Sequence, residues 1–206
     1  MGYFSAVESI PSAVDVRARS LLMVAVLLLG ISSVAAQTGG WLDAALAPWN
    51  QAGATVPKAP PSKGTAPRDP RCASSVREPE TAAERDVVAA GWSLYSPARI
   101  KGTTTVLLAD AAVDGMCRPW DYQAFVFVKD TFAGTLSPTL MDSRTDGALS
   151  EVHLLSVTSI EVTFLRYTAA DPLCCPSRLT TVRYRIERRG NGPVVAPVSS
   201  QSRSSG

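Results

Sequence analysis

The sequence predicts an α+β fold, in which one short helix packs on an antiparallel β-sheet and disulfides staple the domain. Three observations carry this prediction. A capping box opens a single short helical segment, β-branched and alternating runs fill the chain after Trp92, and four cysteines accompany an N-terminus that resembles an export signal. Connections of only a few residues between the β runs favour antiparallel neighbours.

The composition is that of a globular domain with irregular additions. Hydrophobic residues make up 46% of the 206 residues, while 15 prolines and 14 glycines indicate sizeable unstructured segments. The formal net charge is +2, from 20 basic and 18 acidic residues. A nucleic-acid-binding protein normally carries a basic surplus or cluster, so we expect no nucleic-acid partner.

Residues 1–36 have the features of a signal peptide. A polar stretch with two arginines precedes the apolar run 21–29, which is short for a membrane span, and the small residues 34–36 suit cleavage between Ala36 and Gln37. We therefore expect a secreted or periplasmic protein whose apolar segment engages the membrane only during export. The alternative is an uncleaved N-terminal membrane anchor.

Residues 37–71 form an arm that is rich in Pro, Ala and Gly. The segment Pro57-Lys58-Ala59-Pro60-Pro61 favours polyproline II and excludes a helix. Trp41, Trp49 and Asn50 are unusual in a free linker. We expect them to dock the arm on the domain or, alternatively, to bind a partner.

The globular domain is predicted over residues 72–190, and its helix has clear ends. In the capping box Thr81-Ala82-Ala83-Glu84, the hydroxyl and the carboxylate each accept a free backbone N–H group. Gly91 suits the position that follows the C-cap. A helix this short is marginal alone and needs a sheet to pack on.

Six strands are predicted in the remainder of the domain. They are 103–109, 122–128, 132–136, 152–157, 160–167 and 179–187. In the second run, Phe125 and Phe127 point to one face and the Ala and Val side chains to the other. The last run alternates apolar and polar residues, which is typical of a sheet with one solvent-exposed face. The Ser-rich tail 191–206 has no such pattern, and we expect it to be disordered.

The four cysteines, Cys72, Cys117, Cys174 and Cys175, allow three pairings. A bridge between adjacent cysteines closes a small strained ring, and adjacent side chains of an extended chain point to opposite sides. We therefore expect Cys174 and Cys175 to have different partners, one Cys72 and the other Cys117, so that the turn 171–177 staples two parts of the fold. The alternatives, a redox-active or metal-binding thiol pair, usually space their cysteines further apart.

Several short stretches match a known family in order along the chain. They are Gly91-Trp92, Asp114-Gly115-Met116-Cys117-Arg118-Pro119, Phe125-Val126-Phe127-Val128, Phe132-Ala133-Gly134-Thr135-Leu136, Ser143-Arg144-Thr145-Asp146-Gly147-Ala148 and the Cys174-Cys175 turn. On these residues the region from about Trp49 to Ile186 resembles the LppP/LprE family of exported bacterial lipoproteins. The resemblance implies a membrane-attached or periplasmic protein without an established biochemical role. Gln37 stands where a lipoprotein carries its lipidated cysteine, so we do not expect a lipid anchor.

The single histidine, His153, lies within a predicted strand. A Ser or Cys triad would have to use it, but a lone strand histidine is more often a surface or packing residue. A carboxylate hydrolase needs two suitably spaced acids, and nothing in the sequence pairs Asp121, Glu151 or Glu161 in this way. We therefore expect no enzyme and no catalytic residue.

Two polar stretches are candidates for other roles. Asp142, Arg144 and Asp146 form a polar loop, which we interpret as a hydrogen-bonded cluster rather than a calcium site, because Arg144 would repel a cation. A second group combines a guanidinium, two aromatic rings and a carboxylate, as binding surfaces often do, although such residues also pack around disulfides. This candidate binding surface comprises Arg118, Trp120, Asp121 and Tyr122.

These observations together predict an exported, non-enzymatic domain that binds an unknown envelope ligand or protein. We expect no cofactor and no metal. The rival interpretations are a hydrolase that uses carboxylates or His153, and a purely structural envelope protein.

Overall fold

The computed structural model describes residues 40–61 and 70–205, together with Gly2. The predicted signal peptide, its cleavage site and the first residues of the arm lie outside this part of the chain, apart from Gly2. The chain divides into two units, Met1–Thr38 and Gly39–Gly206, and only the second is described below. Within the described ranges, no helix has the length and apolar character that crossing a bilayer requires.

Two antiparallel sheets and one helix make up the second unit. Sheet A contains β1 Ser93–Leu94, β2 Arg99–Lys101, β3 Thr104–Val113, β4 Pro119–Val128 and β5 Thr131–Thr135, in the order β1-β3-β4-β5 with β2 also paired to β3. Sheet B contains β6 Leu149–Ser156, β7 Ser159–Arg166, β8 Arg178–Arg189 and β9 Gly192–Ser204, in sequence order. Helix α1 spans Ala82–Ala89, and short 3₁₀ helices span Trp41–Asp43 and Pro70–Ser75. The predicted antiparallel strands and short helix are confirmed, but the prediction of one sheet is wrong.

Helix α1 has the predicted ends. The Thr81 hydroxyl accepts a hydrogen bond from the Glu84 N–H (3.2 Å), and the Glu84 carboxylate accepts one from the Thr81 N–H (2.9 Å). Ala90 is the C-cap, and Gly91 follows it with a left-handed φ of 96°. Both ends are therefore fixed by local contacts that the sequence specifies.

Sheet A is covered on both faces. On one face, Phe125 and Phe127 of β4 pack in a buried cluster with Val87 of α1 and Trp92. On the other face, the remaining apolar residues of β3 and β4 form a second cluster with sheet B. Its buried members include Val106, Ala124, Val126, Val162, Tyr184 and Val195. The apolar run in β4 thus corresponds to a strand in the middle layer of three.

Sheet B has one buried and one exposed face. The residues of β7 and β8 alternate, so that Val162 and Tyr184 are buried while Arg183 and Arg185 are exposed. This confirms the predicted sheet with one solvent-exposed face.

The predicted disordered tail is instead a long strand, so the prediction for residues 191–206 is wrong. Strand β9 pairs with β8 from Gly192 to Ser204. Val194 and Val195 are fully buried, whereas the Ser-rich outer half is exposed. Backbone pairing to β8 holds this half in place, and such pairing needs no apolar pattern. The domain therefore extends beyond the predicted boundary at residue 190.

Candidate functional site

Of the four residues of the predicted binding surface, two lie at the surface and two are buried. Trp120 is 44% exposed, and Arg118 lies at the surface with its Nε 2.6 Å from Asp114 Oδ2. Asp121 and Tyr122 are buried, and the Tyr122 hydroxyl accepts a hydrogen bond from a backbone N–H of β6 (2.7 Å). Only Arg118 and Trp120 of the four are therefore available at the surface.

One acid of the polar loop belongs to an Asp–Arg–Asp cluster, but the arginine and the second acid of that cluster come from outside the loop. Arg166 donates to Asp146 (2.8 Å) and to Asp43 of the arm (2.6 Å), whereas Arg144 is exposed. Asp142 accepts a hydrogen bond from the backbone of β4 (2.7 Å). The predicted pairing with Arg144 is wrong, because Asp146 is bonded by the buried Arg166 of β7, and Asp142 accepts from the Asp121 N–H.

This cluster fastens the arm to sheet B. Burial alone lowers the pKa of Arg166, but its hydrogen bonds with Asp146 and Asp43 raise the pKa above the ordinary value. The hydrogen bond from Arg166 also lowers the pKa of Asp43. All three groups satisfy one another, so the cluster is structural.

His153 is a surface residue of β6. Its Nε2 lies 3.1 Å from Glu151 Oε2, and both side chains are more than half exposed. A triad also holds its histidine with a carboxylate, but it needs a hydroxyl or thiol nucleophile at the other ring nitrogen, and the bond to Glu151 supplies only the carboxylate. This placement agrees with the interpretation of His153 as a surface residue.

The cysteines pair differently from the prediction: Cys72 is bonded to Cys117, and Cys174 to Cys175. The 3₁₀ helix Pro70–Ser75 brings Cys72 to the β3–β4 turn, where its Cα lies 5.2 Å from that of Cys117. With those two paired, the adjacent cysteines bond to each other. The expected staple at residues 171–177 is therefore wrong, because Cys72 already lies beside Cys117 and neither is left to pair with Cys174 or Cys175.

A groove of about 490 Å³, which we call the arm groove, lies between the arm and sheet A. One wall comes from the arm and the other from sheet A and the loop after β5. The lining includes Trp49, Asn50, Pro57, Lys58, Pro60, Trp92, Gln123, Phe132, Thr135, Pro138 and Leu140. Neither the candidate binding surface nor the polar loop contributes a residue to it.

The first end of the arm wall is fixed by Asn50. Its Nδ2 donates to the carbonyls of Thr135 and Val195 (both 2.9 Å), and its Oδ1 accepts from the Thr135 N–H (2.9 Å). The Trp49 indole N–H also points to the Thr135 carbonyl and hydroxyl, both at 3.2 Å. Because Val195 lies on β9, Asn50 joins the edges of the two sheets.

Gly134 makes this close approach possible. A Cβ at this position would lie 2.2 Å from Asn50 Cγ, well inside van der Waals contact. The φ of Gly134 is also 130°, a conformation that residues with a side chain rarely adopt. A glycine is therefore required on both counts.

The second end of the arm wall lies near α1. The Trp92 indole N–H donates to the Pro57 carbonyl (2.7 Å), and the Ala59 N–H donates to the Ala90 carbonyl (2.9 Å). Pro57 at the first contact, and Pro60 and Pro61 just beyond the second, favour an extended backbone here. The structure thus shows a docked arm, the first of the two alternatives for its tryptophans.

The arm groove is mainly apolar. Trp92 and Phe132 line it, and the Gln123 amide is already satisfied by the carbonyls of Ser137 (3.1 Å) and Thr139 (3.2 Å). Among the described lining residues, Lys58 is the charged one, and it is exposed. The arrangement suits an apolar molecule with an anionic end.

Sequence reasoning missed the groove as a site, although two signals pointed toward it. The arm tryptophans indicated docking, and Gly134 belongs to one of the stretches that carried the family resemblance. A groove between two segments distant in sequence becomes visible only once both are placed.

The family comparison falls on the strands of the two sheets. Residues 102–189 match the LppP/LprE lipoprotein family. This match confirms the resemblance over β3 to β8, and it points to an envelope-associated protein. The matched residues do not include the arm, which carries Asn50. They also do not include β9, whose edge Asn50 joins to sheet A. Searches of curated proteins and of solved structures give no significant match to the chain.

Proposed function

We propose that the chain is a non-enzymatic binding domain of the cell envelope, which holds an apolar ligand with an anionic end in the arm groove. The observation that carries this proposal is the groove itself, because the arm is fastened at both ends and leaves an apolar space of about 490 Å³ beside sheet A. Small-molecule sites typically enclose roughly 300–1,000 Å³ and are lined mainly by apolar side chains.

The chemistry of the lining supports an amphipathic ligand. Trp49 and Phe132 are partly exposed and offer aromatic surface, and burial of apolar ligand area against them provides the main stabilisation. Lys58 stands at the exposed side, where it can pair with a carboxylate or phosphate while the apolar part is covered. A fatty acid is the simplest molecule with this pattern.

The LppP/LprE match and the oxidised cysteines support a location in the envelope. All four cysteines are in disulfides, which persist in oxidising compartments. We propose that the chain is exported and cleaved after Ala36, and that it acts as a secreted or periplasmic protein. N-terminal sequencing of the exported protein should then begin at Gln37, whereas a chain that still carries the apolar run would contradict cleavage.

Palmitate binding to the exported protein tests the site. Intrinsic fluorescence should change on titration, since Trp49 and Trp92 both line the groove. Leu140 is 42% exposed at the groove, and Leu140→Glu should weaken palmitate binding by at least about tenfold, because the new carboxylate repels the ligand and is poorly solvated beside apolar surface.

A matched control is available on β9. Val198 is 51% exposed and lies outside the groove lining, so Val198→Glu should leave palmitate affinity unchanged. Lys58→Glu should weaken palmitate binding but not the binding of hexadecanol, which has the same chain without a charge. Palmitate that fails to bind, or that binds the Leu140→Glu and Val198→Glu variants equally well, would show the proposed site to be wrong.

A further inference from the structure

The two disulfides differ in their access to solvent. Cys72 is 1% exposed, and Cys117 is partly buried within the β3–β4 turn. Cys174 and Cys175 are both exposed, in a turn between β7 and β8. A thiol in solution can therefore reach the second bridge without any opening of the fold.

The turn that carries Cys174 and Cys175 is held at its base. The Asp171 carboxylate accepts hydrogen bonds from the Thr168 N–H (2.8 Å), the Thr168 hydroxyl (2.9 Å) and the Ser177 N–H (2.9 Å). The Ser205 N–H donates to the Ser177 carbonyl (3.0 Å), which ties the base to the end of β9. These contacts use no sulfur atom, so they remain when the bridge opens.

The tip of the turn is presented outward. Leu173, next to the bridge, is 67% exposed, and prolines flank the segment at Pro172 and Pro176. The Tyr167 hydroxyl donates to the Leu173 carbonyl (3.3 Å), and the Cys175 N–H donates to the Pro172 carbonyl (2.9 Å). The two sulfur atoms therefore lie on a hydrogen-bonded turn that is exposed to solvent.

We propose that the Cys174–Cys175 bridge is a site of reversible thiol–disulfide exchange with low-molecular-weight thiols, while the Cys72–Cys117 bridge stays closed. An external thiolate attacks one of the two sulfurs, the Cys174–Cys175 bond breaks, and a mixed disulfide forms. The released cysteine thiolate takes a proton from water. A second external thiolate then attacks the external sulfur of the mixed disulfide, and the second protein thiolate leaves and takes a proton from water. The products are two protein thiols and one external disulfide, with both electrons supplied by the external thiols.

Adjacency makes the exchange reversible. After reduction, both thiols remain within one short turn whose base is fixed, so their effective concentration toward each other stays high. An external disulfide can therefore re-form the bridge by the same two steps in reverse. No strand or helix has to move for either direction.

The experiment compares the rates at which the two bridges open in the native exported protein. Dithiothreitol is added, samples are quenched with N-ethylmaleimide, and tryptic peptides are measured by mass. Residues 167–178 form one peptide with both adjacent cysteines, whereas Cys72 and Cys117 lie in separate peptides, 72–77 and 102–129, since trypsin does not cut before Pro119. The two bridges are therefore measured independently.

Labelling of peptide 167–178 should be at least about tenfold faster than labelling of the other two, because a buried bond reacts only through local opening. In denaturant the two rates should become similar. With glutathione in place of dithiothreitol, peptide 167–178 should carry a glutathione adduct as the mixed-disulfide intermediate. Equal native rates, or labelling of peptide 167–178 before any reductant is added, would overturn the proposal.

Two variants separate exchange from general loss of structure. Cys174→Ser with Cys175→Ser should remove the fast reaction and leave both the slow reaction and the melting temperature unchanged. If that variant melts markedly lower than the parent protein, the bridge is a structural staple and the proposal is wrong.

Discussion

Sheet A and sheet B are both antiparallel, but they are covered differently. Neighbouring residues of β4, such as Phe125 and Val126, are both fully buried because α1 covers one face and sheet B the other. On β8, Tyr184 is buried while Arg185 is exposed. The difference indicates that each side chain in the middle of sheet A contributes to stability, whereas only every second one in sheet B does.

Truncation of a buried ring in sheet A should have the largest effect. Phe125→Ala should lower the free energy of unfolding by about 4 kcal/mol, since it leaves a cavity beneath Trp92 and Phe132. On the exposed face of sheet B, Arg183→Ala removes only a surface ion pair with Glu161 and should cost less than about 1 kcal/mol. Urea unfolding of both variants checks this, and equal losses would contradict the comparison.

A smaller effect is expected where the edges of the two sheets are joined. Gly134→Ala should cost about 3 kcal/mol, because it combines an unfavourable φ with overlap against Asn50. Gly190→Ala is a matched control, since Gly190 also has a positive φ (47°) but no neighbour within 4 Å, and it should cost only about 1 kcal/mol. Similar losses in the two variants would show that Asn50 does not restrict this position.

Glu84 in the helix that covers sheet A should make the stability of the fold depend on pH. Burial of Glu84 raises the pKa of its carboxyl, but the hydrogen bond from Arg77 and those from the Thr81 and Glu80 N–H groups outweigh it and lower the pKa to about 2. A lowered pKa stabilises the fold above the ordinary value of 4.5, and this contribution is lost as the pH falls toward 2.

The loss should amount to about 2 kcal/mol across this window, measured by urea unfolding at a series of pH values. Glu84→Gln should lower stability at neutral pH and flatten the curve between pH 4.5 and 2. The Glu161→Gln variant, which is changed on the exposed face of sheet B, should still lose stability over this pH range as the parent protein does. An unchanged curve for the Glu84→Gln variant would contradict the assignment.

Local features of the fold could be predicted from the sequence. The ends of α1 follow from contacts among Thr81, Glu84 and Gly91, which lie within a few residues of one another. The six predicted strands are all present. The spacing of apolar residues along a strand depends on whether one or both of its faces are covered, so the pattern can be read from the sequence. In β4 even the division of side chains between the two faces is confirmed.

The features that the sequence did not predict depend on contacts between distant segments. The loop after β5 leads the chain to a second sheet, and no local pattern says which strands pair. Strand β9 was missed because its outer half is held by backbone pairing, and Val194 and Val195 were too short a run to stand out. The arm groove and the partner of Cys117 likewise depend on where the arm and the 3₁₀ helix Pro70–Ser75 come to lie.

The bond between Cys72 and Cys117 spans 45 positions and encloses α1 with the first two strands and all of β3. Exposed trypsin sites such as Arg99 and Lys101 lie inside this covalent loop. Hydrolysis of one peptide bond there leaves both fragments tethered through sulfur. A protease can therefore nick this segment without releasing a piece, and a nicked chain would run at full size on a gel until a strong reductant separates it.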